Sequence, residues 1–151
     1  MQMNRIQTWI PVAKAKRGVL IGLTVGSLSF ADASAQEPDS TSALTVAEAL
    51  VDAFNQHDPT AMAAMVSGDF ELYYVDEDGL AALALTGPDQ LAAEMTGYFA
   101  SNPSVQSTIA DAVDGPAYAS FREQIVGGQS SLAVYEVREG LIKRVWYFPA
   151  E

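Results

Sequence analysis

Three breaks, Gly115-Pro116, Gly127-Gly128 and Glu139-Gly140, divide the last third of the chain into runs whose apolar residues recur at every second position. Period-two runs joined by two-residue breaks are the pattern of strands connected by tight turns. Strands are therefore expected at 104–113, 117–126, 130–138 and 141–148, in an antiparallel meander. A sheet of this kind needs cover on one face, and the residues for it lie upstream. Val46, Leu50, Val51 and Phe54 follow Thr45-Val-Ala-Glu48 at helical spacing. That tetrad reads as a capping box, and the stretch as a helix over 46–56. Asp58-Pro59 opens a second helix, with Asp as N-cap and Pro at the first helical position. Met62, Met65 and Val66 are its buried stripe, and Ser67-Gly68-Asp69 stops it. Phe70–Val75 and Leu80–Leu85 flank the turn Asp76-Glu-Asp-Gly79 as a hairpin. A third helix, 88–100, presents Leu91, Met95, Tyr98 and Phe99 and ends at Asn102-Pro103. The order of elements predicts an α+β fold: a cone-shaped, strongly curved antiparallel sheet with three helices packed on its concave face, enclosing a pocket.

The start of the chain is of another kind. Arg5, Lys14, Lys16 and Arg17 form a basic leader, Val19–Phe30 is an uncharged apolar run, and Ala33-Ser34-Ala35 precedes Gln36. This is the three-part pattern of a secretory signal peptide. The apolar run is too short for a transmembrane helix, which needs about 20 residues. The expected organisation is a signal peptide at 1–35, a polar linker at 36–43 and one domain at 44–151, exported to the periplasm or the medium. Acidic residues outnumber basic ones 19 to 8, for a net charge of −11. Four of the eight bases lie in the leader, so the chain beyond it is more acidic still. Nucleic acid and anionic membrane would both repel such a surface. The absence of cysteine excludes disulfides and thiolate chemistry, and a single histidine excludes a multi-histidine metal site. No metal and no cofactor is expected. Asp76–Gly79 lacks the later ligands of a calcium loop and reads as a plain hairpin turn. His57 sits in the tight junction between the first two helices, where a structural role is expected.

Several phrases resemble the nuclear transport factor 2-like superfamily, in its SnoaL-like and ketosteroid-isomerase-like branch. They are Ala53-Phe54-Asn55-Gln56-His57-Asp58 followed by Ala61–Met65, the Gly87–Phe99 helix, and the run from Val134 through Trp146 to Phe148. The resemblance covers about residues 44–149 and implies a fold that hosts isomerases, cyclases, dehydratases and non-catalytic proteins. Ketosteroid isomerases carry a helix tyrosine, an aspartate base on the first strand and a second acid in the later sheet. These positions fall on Leu50, Tyr74 and near Ala133, and none matches, so that activity is excluded.

Other candidates come from polar residues that interrupt apolar strand faces, where burial is costly without a partner or a wet cavity. Glu123 interrupts Ala119, Phe121 and Ile125. Arg144 interrupts Ile142, Trp146 and Phe148, and Asp111 interrupts Val105, Ile109 and Val113. Tyr74 shares the face of Phe70 and Leu72 and can offer a phenol to a carbonyl or oxyanion. Tyr74, Asp111, Glu123 and Arg144 are thus the catalytic candidates, and Tyr74, Tyr135 and Trp146 the expected ligand-binding walls. Two functions remain open. One is an exported protein binding a small apolar or amphipathic molecule, with acid–base chemistry of the isomerase, cyclase or dehydratase type as an extension. The other is a non-catalytic dimeric interaction module with a filled pocket. Homodimerisation is expected under both.

Overall fold

A computed structural model describes residues 41–150. The expected signal peptide, 1–35, and all but the end of the expected linker lie outside the described residues. The elements follow in the order α1 (Ala43–Asn55), α2 (Pro59–Ala64), β1 (Val66–Val75), β2 (Ala81–Thr86), α3 (Gly87–Ser101), β3 (Ser107–Asp114), β4 (Tyr118–Ile125), β5 (Ser130–Arg138) and β6 (Leu141–Pro149). The fold is α+β, with three helices and one six-stranded sheet ordered β2-β1-β6-β5-β4-β3. The meander is antiparallel throughout, as its short turns require. The one departure from an all-antiparallel sheet is β1, which runs parallel to β6 and brings the first strand against the last.

Local chemistry explains the boundaries. The first helix begins earlier than Thr45: Ser42 is the N-cap, and its hydroxyl accepts the Thr45 N–H at 3.2 Å. A second acceptor comes from far along the chain, since Asp114 takes the Leu44 N–H at 3.0 Å. It supplies negative charge to a helix start with no acid in its own first turn. Asp58 caps α2 through the Ala61 N–H at 2.9 Å, with Pro59 at the first position, as the dipeptide predicts. Ser67-Gly68-Asp69 does not stop α2, which ends at Ala64 with Met65 as its C-cap, and Val66, expected on the helix stripe, already begins β1. The tripeptide lies within β1, in an irregular stretch between the Val66–Ile142 and Glu71–Arg144 pairs. Asp76 accepts the N–H groups of Asp78 and Leu80 and so closes the β1–β2 turn.

The core lies between the helices and one face of the sheet. Val46, Ala47, Leu50 and Val51 from α1 and Leu91 and Phe99 from α3 are buried with Phe70, Leu72, Phe121, Ala133, Tyr135, Ile142 and Val145 from the strands. A short set of bonds fixes α1 to β3. Asn55 donates its Nδ2–H to the Ser107 carbonyl at 2.9 Å and accepts the Ser107 N–H at 2.7 Å. His57, at φ 54°, donates Nε2–H to the Val105 carbonyl at 2.8 Å and stacks on Phe99 with centroids 4.6 Å apart. The structural role expected of His57 is the one it plays.

Asn55→Ala strands two partly buried backbone groups at once. With about 1–3 kcal/mol lost for an unsatisfied buried polar group, the expected destabilisation is about 2 kcal/mol. A urea melt followed by circular dichroism measures it.

Candidate functional site

The sheet face toward the helices carries one ionisable cluster, centred on β4. Ala119, Phe121 and Glu123 alternate onto this face, and Glu123 remains 8% exposed. A buried carboxylate needs donors, and neighbouring strands bring three hydroxyls. Ser107 of β3 donates to Glu123 Oε1 at 2.8 Å, and Tyr135 of β5 donates to Oε2 at 3.4 Å. The Tyr135 and Tyr147 hydroxyls lie 3.1 Å apart, extending the chain onto β6. Tyr147 stacks on Tyr74 of β1, with centroids 5.8 Å apart, and Tyr135 stacks on Phe121 at 5.0 Å.

Burial dominates the electrostatics here. Loss of solvation pushes the Glu123 carboxyl above its ordinary range, and the hydroxyls of Ser107, Tyr147 and Tyr135 pull it back only in part. The same desolvation, reinforced by the charge on Glu123, holds the phenols of Tyr135 and Tyr147 well above theirs. Tyr74 is 44% exposed, yet its phenol is also raised, first by desolvation and then by Tyr98 and Glu123. The other buried glutamate supplies a contrast. Desolvation works to raise Glu136 as well, but Arg138 at 2.9 Å and Arg144 at 3.1 Å outweigh it and lower its carboxyl. Glu136 has cations beside it; Glu123 has hydroxyls alone.

A hydroxyl chain has a direction, and the proton on Glu123 sets it. When Glu123 is ionised, Tyr147 donates to Tyr135 and Tyr135 to the carboxylate, leaving a Tyr147 lone pair free to accept. When Glu123 is protonated it can donate to Tyr135, Tyr135 to Tyr147, and Tyr147 onward to a ligand acceptor.

Three of the sequence-derived site residues stand elsewhere. Arg144 does not converge with Glu123. A register shift between Glu136 and Val137 leaves Lys143 as an extra residue, so Ile142 and Val145 point inward while Arg144 and Trp146 point outward. On the outer face Arg144 bonds Glu71 at 2.8 Å, and Trp146 stacks on Tyr73 at 6.0 Å. Trp146 therefore cannot share a wall with Tyr135. Asp111 sits in a bulge of β3 at φ 53°, its side chain 75% exposed and 3.4 Å from Arg122. Glu123, Tyr74 and Tyr135 do come to one face. Two members of the cluster, Tyr147 and Ser107, escaped the sequence reading. Tyr147 is legible only once the β6 bulge is known, and Ser107 only as a lone hydroxyl at the head of a strand.

Two open hollows lie at the surface. One of about 470 Å³ runs between the start of β1 and the start of α3, past Asp69, Phe70, Thr86 and Pro88. The other, of about 290 Å³, lies between α1 and β3, lined by Glu48, Val51, Asp52, Asn55, Ser107 and Ile109. Neither is lined by Tyr74, Tyr135 or Trp146. Ser107, whose hydroxyl bonds Glu123, is among the lining residues of the second. Among the described residues no three His, Asp or Glu side chains are placed to hold a metal ion.

The sequence profile of the SnoaL-like domain matches residues 47–145. Among proteins of curated function, none matches. Solved structures share the fold at low identity. An uncharacterized cystatin-fold protein from Novosphingobium aromaticivorans is 21% identical, with a TM-score of 0.60, covering 71% of this chain and 97% of its own. A SnoaL-like protein of unknown function from Burkholderia thailandensis is 17% identical, with a TM-score of 0.59, covering 72% and 94%. A Mycobacterium tuberculosis protein solved in complex with estradiol-17β-hemisuccinate is also 17% identical, with a TM-score of 0.57, covering 70% and 91%.

Glu123→Gln tests the electrostatics of the cluster. The folded protein holds the Glu123 proton more tightly than the unfolded chain, where the group titrates near 4.5. The stability this contributes is fully present below that value and is lost as pH rises through the elevated folded pKa. The stability of Glu123→Gln relative to wild type should therefore climb with pH above about 4.5 and then level off. Paired urea melts from acid to neutral pH read it, and a flat difference would refute the assignment.

Proposed function

Since the chain belongs to the SnoaL-like domain family, we propose that it is an exported protein that binds a small apolar or amphipathic molecule over the Glu123–Tyr135–Tyr147 cluster. The observation carrying this reading is a buried carboxylate held by hydroxyls alone on an otherwise apolar face. Such a group is costly to a core that serves only packing. The position of Tyr74 supports it: this half-exposed residue stacks on Tyr147 and so joins the buried cluster to the surface. The Mycobacterium tuberculosis neighbour holds a steroid ester in the same fold. Any acid–base step here runs through Glu123 as the proton carrier and Tyr147 as the group facing the ligand. The steroid isomerase set is absent, since its positions hold Leu50, Tyr74 and Ala133, of which Leu50 and Ala133 are buried apolar core. Export rests on the leader, the apolar run and the Ala33-Ser34-Ala35 site.

Native mass spectrometry of the chain secreted from a bacterial host tests the reading. The expected species begins at Gln36 and carries a non-covalent small molecule that Glu123→Gln and Tyr147→Phe release. An unprocessed chain overturns export. A bare chain, with no mass gained from a panel of neutral aromatic and alicyclic compounds, overturns ligand binding.

A second reading has its own observation. The outer sheet face stacks Tyr73 on Trp146 and leaves Tyr118 and Leu132 exposed. Aromatic and aliphatic surface of this kind suits a second copy of the chain. Sedimentation should then give a dimer for the wild type and a monomer for Trp146→Glu, with the thermal melt of the fold little changed.

A further inference from the structure

Charge is sorted between the two sides of the domain. Beyond the leader the chain has only four lysines and arginines, and all lie on β4, β5 and β6. Arg122 pairs with Asp111, Arg138 with Glu136, Lys143 with Asp69, and Arg144 with Glu71 and Glu136. The three arginines serve the outer face, and Lys143 serves the irregular stretch of β1. Among the described residues the helices carry no Lys or Arg. They carry Glu48 and Asp52 on α1, Asp58 before α2, and Asp89 and Glu94 on α3, all exposed. His57, the one histidine, has its Nε2 committed to the Val105 carbonyl.

The surface on both sides of the cluster shares this sign. The hollow lined in part by Ser107 also has Glu48 and Asp52 in its wall. Tyr74, on the other side, is followed two residues on by Asp76-Glu77-Asp78, also exposed. Among the described residues Glu123 itself meets hydroxyls and no cation. An incoming anion would cross a field of its own sign and find no counter-charge at the end. A neutral acceptor can take the Tyr147 proton, and a cation can take an ionised Glu123.

We infer that this site selects its ligand by charge, admitting neutral and cationic apolar molecules and rejecting anionic ones. The inference rests on the ligand-binding reading above. Its test is a matched set on one skeleton: 2-naphthylmethanol, 2-naphthylmethylammonium and 2-naphthoate. Each is titrated calorimetrically into the purified protein at neutral pH, with amide shifts of Ser107 and Tyr147 locating the probe. At low salt the ammonium should bind at least about tenfold more tightly than the carboxylate. The gap should shrink as salt shortens the Debye length to below about 8 Å. It should also shrink in the surface variant Glu48→Gln/Asp52→Asn, which leaves Glu123 and its hydroxyl partners in place. Equal affinities for the ammonium and the carboxylate, or a preference for the carboxylate, would overturn charge selection while the alcohol's binding leaves the ligand reading standing. If none of the three binds at millimolar concentration, the ligand reading falls and the inference with it.

Discussion

The parallel pairing of β1 with β6 is the constraint on which the rest of the domain depends. It closes the largest gap in sequence within the sheet, joining Leu72 to Val145 and Tyr74 to Tyr147. Without it the domain is three helices with a two-stranded hairpin on one side and a four-stranded meander on the other. Neither part could bury its apolar face alone, because the helices that cover the meander come from the other half. The pairing also assembles the site, because Tyr74 is the only member of the aromatic cluster contributed to the sheet by the first half of the chain. Non-local pairing of this kind is formed against the entropy of a long closed loop. The bonds from Asn55 and His57 to Val105 and Ser107 help offset that cost from the opposite edge.

How much of this could be seen in the sequence follows from what period-two reasoning can and cannot detect. Ala119, Phe121 and Glu123 occupy an uninterrupted ladder with β5, and alternation placed Glu123 on the inner face. The same reasoning misplaced Arg144 and Trp146, because one extra residue at Lys143 exchanges the two faces of β6 beyond it. It misplaced Asp111 for a related reason. That residue takes a left-handed conformation at a bulge, and beyond it Val113 is turned out to solvent. Aspartate is among the residues that tolerate this conformation, but nothing in a run of alternating residues marks which aspartate uses it. Caps and turns were legible where their chemistry is local, at Asp58-Pro59 and Asp76–Gly79. The start of α1 was not, because Ser42 and Thr45 are both competent caps and the second acceptor, Asp114, lies seventy positions away.

Two buried glutamates on adjacent strands show how position within a sheet separates structural from reactive acids. Glu136 faces outward between Arg138 and Arg144, where its charge is compensated and its proton is easily lost. Glu123 faces inward among neutral donors, where its proton is retained to higher pH. The difference is one of sheet parity combined with the placement of the described lysine and arginines on strands rather than helices. A single composition thereby yields an outer face that is electrostatically locked and an inner face whose polarity can change with one proton.

The two ends of the strand order carry a consequence of their own. β3 is an awkward template for any extra strand, because the Asp111 bulge breaks its ladder and Asp114 adds charge at its end. β2, Ala81–Thr86, has no charged residue and no proline, and only the extra residue Ala84, opposite the Leu72–Tyr73 step of β1, interrupts its ladder. The rest of its protection is borrowed: the Asp76-Glu77-Asp78 turn stands at its entrance, and the surplus negative charge of the helices repels a second molecule in the same orientation. Colloidal stability of this domain thus draws on ionic surroundings as well as on edge architecture. In concentrated salt, where that repulsion is screened, the border at β2 is where chain-to-chain ladder growth would begin.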